Sequence, residues 1–320
     1  MFKLPKTCAA ILFFGVIYSF AGSASDTPQY TVTSIITIGG KPHFPAINSV
    51  THRLYVSDPD AGSVTVVDAI AGTHITKIAT GAGAHTVMVD EAHNLVYVTN
   101  LGADTVSIID GNTNIKLIDI PVGKAPHGLV LDVKSNRAYI SNTGSNNVSV
   151  VDTQTRKVVK TISTGAGPWG VALDKERGWL YTSNTDDGTV SRIDINSDKV
   201  LSTISVGGRP WNIKVSANDH RVYTTNETLG IVSIIDGDNI STIKVGKGLH
   251  GILLDDERNR AFVAATGANQ IAIINTKDNT VEQALTVGAG PTAMTQNQHQ
   301  NILYVANQGA GVISVLLGRK

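Results

Sequence analysis

The chain has 320 residues, with 26 Lys and Arg against 26 Asp and Glu, and a single cysteine, Cys8. Such a balance gives no general attraction to nucleic acid or anionic lipid. One cysteine excludes intramolecular disulfides, thiolate metal sites, Fe–S clusters and c-type haem attachment.

In chain order, the first element is a targeting segment. Lys3 and Lys6 precede an apolar run from Ala9 to Ala21, and Gly22, Ser23, Ala24 and Ser25 follow. Residues 1–25 thus have the layout of a secretory signal peptide, with a run too short to span a bilayer. Cleavage near Ala24 or Ser25 leaves about 295 residues with a formal charge of about −2. No second apolar run of membrane length follows. The expected product is exported and has no transmembrane segment; the periplasm is the first expectation, the cell surface or medium the alternatives.

The remaining chain repeats. Glycines recur at Gly39, Gly81, Gly123, Gly165, Gly207, Gly246 and Gly288, in steps of 42, 42, 42, 42, 39 and 42. Sixteen residues after each stands an aromatic that opens a tetrad. The tetrads are Tyr55-Val-Ser-Asp58, Tyr97-Val-Thr-Asn100, Tyr139-Ile-Ser-Asn142, Tyr181-Thr-Ser-Asn184, Tyr223-Thr-Thr-Asn226, Phe262-Val-Ala-Ala265 and Tyr304-Val-Ala-Asn307. Runs such as Val106-Ser-Ile-Ile-Asp110 come next. In the third unit the β-branched and apolar stretches 128–132, 137–141, 147–151 and 157–163 predict four strands separated by turn residues. Four short strands at a period near 42 predict a blade, and residues 26–320 predict one all-β, seven-bladed propeller. The last unit has only three strands, whereas Val32 to Ile38 reads like a fourth. The N-terminal strand is therefore expected to complete the last blade and remove two open edges.

The tetrads, the VSVID-like runs and the Thr-Ile-x-Val-Gly endings resemble the YVTN family of seven-bladed propeller repeats, over essentially the whole exported chain. The resemblance implies an exported cell-envelope protein, and no single function.

Repetition separates blade architecture from site candidates. Asp90, Asp132, Asp174 and Asp255 end first strands, Asp68, Asp110, Asp152 and Asp194 end third strands, and both sets read as turn carboxylates. Gly165, Gly167 and Gly170 spell the dinucleotide fingerprint, but strand follows strand and no helix is there to receive a pyrophosphate, so no nucleotide is expected. The position four residues after each glycine differs. It holds His43, His85, His127, Trp169, Trp211, His250 and Thr292, and should form a collar at one mouth of the central channel.

Three readings of the collar follow. It plugs the channel. Or His43, His85 and His127, with His250 as a fourth ligand, hold a divalent transition metal such as Cu, Zn, Fe or Ni. Or Trp169 and Trp211 form a wall for an organic ligand, with imidazoles as hydrogen-bonding groups. Asp58, Asp60, Asp186, Asp187 and Glu227 break the repeat on the same face and are candidates to join the site. Arg192 replaces an apolar third-strand residue and is expected to pair with a carboxylate. The leading expectation is a binding protein that holds a small ligand or an envelope protein through the collar face. A metal-assisted lyase or lactonase, by resemblance to propellers of those activities, would use a collar histidine as base. A scaffold would use only the outer blade edges.

Overall fold

The computed structural model describes residues 30–319, so the signal-peptide segment, with Lys3, Lys6 and Cys8, lies outside the described residues. These form 28 strands in seven four-stranded sheets, with two 3-10 turns at Thr143–Ser145 and Thr266–Ala268. Each sheet is an antiparallel meander; in blade 3 the strands are Pro126–Asp132, Arg137–Asn142, Asn147–Asp152 and Lys157–Ser163. First strands of successive blades touch one another, and that of blade 7, Pro291–Asn297, touches that of blade 1, Pro45–Asn48. The result is a closed seven-bladed propeller. Among the described residues no helix is long and apolar enough to cross a membrane.

The core lies between blades, because each sheet is apolar on both faces. Tyr97, Val106 and Ile108 of blade 2 pack with Leu129, Leu131 and Ile140 of blade 3, and equivalent clusters fill the other joints. Six of the seven tetrad aromatics are among the largest fully buried side chains, which explains their recurrence. The repeat glycine has a different cause. A Cβ on Gly123 would stand 2.6 Å from the side chain of Asn142. That asparagine must lie there because its amide donates to Asn147 at 2.8 Å and Ser149 at 2.9 Å. The same clash recurs at Gly81, Gly165 and Gly288, whereas Gly39, Gly207 and Gly246 meet no such side chain and instead hold positive φ values of 75°, 70° and 152°.

The N-terminal strand closes the ring as expected. Tyr30–Thr37 pairs antiparallel with Val312–Gly318 and becomes the outer strand of blade 7. It starts two residues earlier than its sequence pattern indicated because Tyr30 is an anchor. The Tyr30 ring packs edge-on against Phe262 at 5.0 Å, and its hydroxyl donates to Asn301 at 2.7 Å.

In blades 2 to 7 the ladder between first and second strands slips at the collar residue. The third tetrad residue repairs the gap. The Ser141 hydroxyl accepts the Gly128 N–H at 2.9 Å and donates to the Trp169 carbonyl of the next blade. Ser57, Thr99, Ser183 and Thr225 do the same for His85, His127, Trp211 and His250.

Two outcomes follow. Deleting the chain through residue 38 exposes the third strand of blade 7, and thermal melting followed by circular dichroism should show a broad transition, shifted down by ten degrees or more on an order-of-magnitude scale. Ser141→Ala leaves a buried N–H and a buried carbonyl without their partner. Urea unfolding should show a loss of about 1–3 kcal/mol with an unchanged slope.

Candidate functional site

The collar is a continuous band of aromatic side chains. Ring centroids are 4.2 Å apart from His43 to His85, 3.7 Å from His85 to His127, 3.3 Å from His127 to Trp169 and 4.0 Å from Trp169 to Trp211. His250 stands 5.4 Å from both Trp211 and His43, and so turns the band back on itself. Thr292 fills the seventh position and donates its hydroxyl to the His43 carbonyl at 2.7 Å. His43, His85 and His127 are buried, whereas Trp169, Trp211 and His250 are half-buried.

Burial sets the charge of this band. Desolvation, reinforced by the neighbouring imidazoles, holds His43, His85 and His127 well below the ordinary histidine value. Desolvation also lowers His250, to about 4, against its hydrogen bond to the Thr292 carbonyl, which acts the other way. The collar is therefore uncharged at neutral pH. A carbonyl only accepts, so Nδ1 of His250 carries the proton of this 3.2 Å contact and Nε2 is left as an acceptor.

Not all of its polar atoms are satisfied. Nδ1 of His43, Nε2 of His127 and Nε1 of Trp211 are buried without a hydrogen-bond partner. A small cavity of about 20 Å³, room for about one water, is lined by His85, His127, Trp169 and His250 of the collar and by Met88, Leu129 and Lys214 further along the inner strands. Among the described residues, no group of three or more His, Cys, Asp or Glu is arranged to hold a metal ion.

The carboxylates divide. Asp58 is buried and accepts the Ala61 and Lys41 N–H groups at 3.1 and 3.3 Å, so it forms the turn in place of the tetrad asparagine. Asp60 pairs with Lys41 at 2.7 Å in solvent, and Asp187 accepts the Ala166 N–H. Asp186 and Glu227 flank Arg209 at 3.5 and 3.7 Å, and that guanidinium lies 6.0 Å from the centre of the Trp211 ring. This trio stands at the rim of the collar. Arg192 corrects an expectation: its guanidinium stacks on Trp179 at 4.8 Å, opposite Arg177 at 5.3 Å, instead of pairing with a carboxylate. A flat cation over an indole face is stabilised without an acidic partner.

Gly165, Gly167 and Gly170 have a structural origin too. A Cβ on Gly170 would stand 2.8 Å from the Trp211 carbonyl, so the third glycine admits the neighbouring blade. Sequence reasoning missed Lys214. The signal was available seven residues after each repeat glycine, where Ala46, Met88, Val130, Ala172, Lys214, Leu253 and Thr295 stand. Lys214 is the one charge in that column.

Comparison with known proteins agrees with this architecture. The YNCE-like beta-propeller family matches residues 134–260. The solved structure of Kuenenia stuttgartiensis hydrazine synthase superposes with a TM-score of 0.77 at 19% identity, over 92% of this chain and 98% of that one. Virginiamycin B lyase from Staphylococcus aureus, solved with selenomethionine, gives 0.77 at 14% identity, over 90% of this chain and 99% of that one. At such identities the likeness is one of fold. A search of curated proteins found no match.

The depressed imidazoles make a pH prediction with a definite sign. The unfolded chain binds protons at the ordinary histidine value of 6.5, before the folded collar does. Collar stability is thus complete above that value and is lost as pH falls toward 4. The loss should be on the order of a few kcal/mol, read from urea midpoints between about pH 7.5 and 4.5. Replacing His85 and His127 by Gln should flatten the profile.

Proposed function

We propose that this YVTN-like seven-bladed propeller is an exported binding protein that holds a small organic molecule at its channel mouth. Trp169 and Trp211 supply the flat wall, and the imidazoles supply hydrogen bonds. The observation that carries the reading is the set of three buried nitrogens without partners, on His43, His127 and Trp211, within an uncharged band of rings. Each such atom costs about 1–3 kcal/mol when left unpaired, and an occupant of the mouth with its own donor and acceptor would relieve that cost. Export rests on the signal-peptide pattern of residues 1–25.

The stacked geometry favours an organic occupant over a metal. Adjacent imidazole planes are tilted by 48° and 57° at centroid separations near those of stacked rings, and lone pairs lie in the ring plane. The collar histidines therefore meet through their faces more than through converging nitrogens. Their depressed basicity also counts against a general base for lyase or lactonase chemistry, since an efficient base titrates near the working pH.

The test is a titration of the whole exported chain with a neutral fused-ring probe, 2-naphthamide, followed by tryptophan fluorescence and calorimetry. Saturable binding is expected, weakened by about tenfold or more in Trp211→Ala at an unchanged melting temperature. Absence of binding, or binding indifferent to replacement of the whole collar, would return the protein to the scaffold reading. Elemental analysis of chelator-free protein separates the remaining alternative: near-stoichiometric Cu, Zn, Fe or Ni would make the collar a metal site.

A further inference from the structure

Away from the channel, the outermost strand of nearly every blade carries one extra residue. Where third and fourth strands pair, the register slips at Ile75, Leu117, Val159 and Leu201 in blades 1 to 4, at Glu282 in blade 6 and at Thr33 in blade 7. Blade 5, the short repeat, pairs without a slip. A bulge turns its extra side chain out of the regular ladder. In blades 6 and 7 that side chain is used within its own blade: Glu282 pairs with Arg260 at 3.1 Å, and the Thr33 hydroxyl donates to the Val315 carbonyl at 3.2 Å. In blades 1 to 4 it is apolar, and Ile75, Leu117, Val159 and Leu201 stand 44, 42, 54 and 49% exposed.

Two adjacent blades add charge. Their outer strands, Lys157–Ser163 and Lys199–Ser205, approach one another and begin alike, Lys157-Val-Val159 and Lys199-Val-Leu201, with Lys160 next in the first. Val158 and Val200 are exposed as well. Among the described residues, lysine ion pairs occur only at Lys41 and Lys116, so these three ammonium groups have no internal counterion. Asp152 and Asp194, opposite Lys157 and Lys199 in register, are committed to turns: Asp152 accepts the Gln154 and Thr155 N–H groups, and Asp194 accepts the Asn196 N–H. The result is an exposed patch of four apolar side chains bordered by three cations.

Such a patch fits an anionic partner, and its form narrows the partner further. A second copy of this chain would set lysine against lysine across a twofold axis. An extended polypeptide on a sheet edge gains most from main-chain pairing, which the bulge in each strand interrupts. An anionic bilayer surface asks for neither symmetry nor an unbroken edge. Apolar side chains enter between head groups, lysine stems lie along them, and ammonium groups meet lipid phosphates. We propose that the outer edges of blades 3 and 4 dock this propeller on an anionic membrane surface, through Val158, Val159, Val200 and Leu201 and the three lysines beside them. The chain as a whole is balanced, with 26 basic and 26 acidic residues, so the attraction is local to this patch. Docking by the perimeter is independent of what the collar holds and leaves the channel mouth free.

The test is flotation of the exported chain at low salt with vesicles of equal parts phosphatidylglycerol and phosphatidylcholine, against vesicles of phosphatidylcholine alone. The wild-type protein should float with the anionic vesicles and stay behind with the neutral ones. Replacing Lys157, Lys160 and Lys199 together by Gln should weaken the partition about a hundredfold, at roughly fivefold per lysine. Val159→Ser with Leu201→Ser should weaken it by about tenfold at unchanged charge. Lys244→Gln with Lys277→Gln removes charge from blades 5 and 6 and should leave binding in place. Melting curves establish that each variant is folded. No flotation of the wild type, equal flotation with neutral vesicles, or an equal loss in the Lys244 and Lys277 pair would each overturn the assignment. So would unchanged binding in either patch variant. Capture of poly-glutamate in place of vesicles, with the same dependence on the three lysines, would make the patch a site for acidic polypeptide and overturn the membrane docking.

Discussion

Every joint between blades is closed by one side-chain hydrogen bond to the carbonyl of a collar residue. Ser57, Thr99, Ser141, Ser183 and Thr225 donate to the collar carbonyls of blades 2 to 6. Blade 6 has Ala264 at the tetrad position, and there Nδ1 of His250 donates to the Thr292 carbonyl instead. Blade 7 has Ala306, and the Thr292 hydroxyl reaches the His43 carbonyl. Seven carbonyls thus find seven donors by three chemical routes. The reason is the interrupted inner ladder: a carbonyl freed by a bulge in a water-poor joint must be satisfied or the bulge does not survive. The bulge in turn is what swings the collar side chain out of the sheet and into the channel mouth.

That single constraint orders the rest. The tetrad aromatic fills the interblade core, the tetrad hydroxyl fixes the next collar residue, and in blades 2, 3, 4 and 7 the tetrad asparagine leaves the repeat glycine no room for a Cβ. Those positions serve the blade and recur. The positions four and seven residues after the glycine vary from blade to blade, and only His250 and Thr292 among them also staple a joint. In this chain they vary in a patterned way, with imidazoles on blades 1 to 3 and 6, indoles on blades 4 and 5, and one cation below the second indole. A rigid scaffold of this kind suits a site whose groups must be pre-positioned.

The period made the fold legible from the chain alone, since a 42-residue repeat with four turn-bounded strands leaves few architectures open. The collar was equally legible, because its position is fixed relative to the glycine. What escaped was any feature decided by side-chain direction. Asp58 departs from Asn in the sequence, and in the fold its carboxylate serves the same turn. In the sequence the visible property of Arg192 is its charge, which suggests an acidic partner, whereas in the fold its guanidinium lies over the indole of Trp179. Lys214 escaped for the opposite reason: an isolated lysine in a Val- and Ile-rich strand looks like an exposed residue until the strand is known to line a channel.

His250 shows how structure and site are joined. Its Nδ1 serves the blade joint, so its tautomer is fixed and Nε2 is the atom left to face the mouth. The same bond favours the protonated ring, while burial disfavours it more, and the balance leaves His250 neutral near physiological pH. Had the four imidazoles been charged, they would have repelled one another and Lys214, and the channel would have drawn in any small anion indiscriminately.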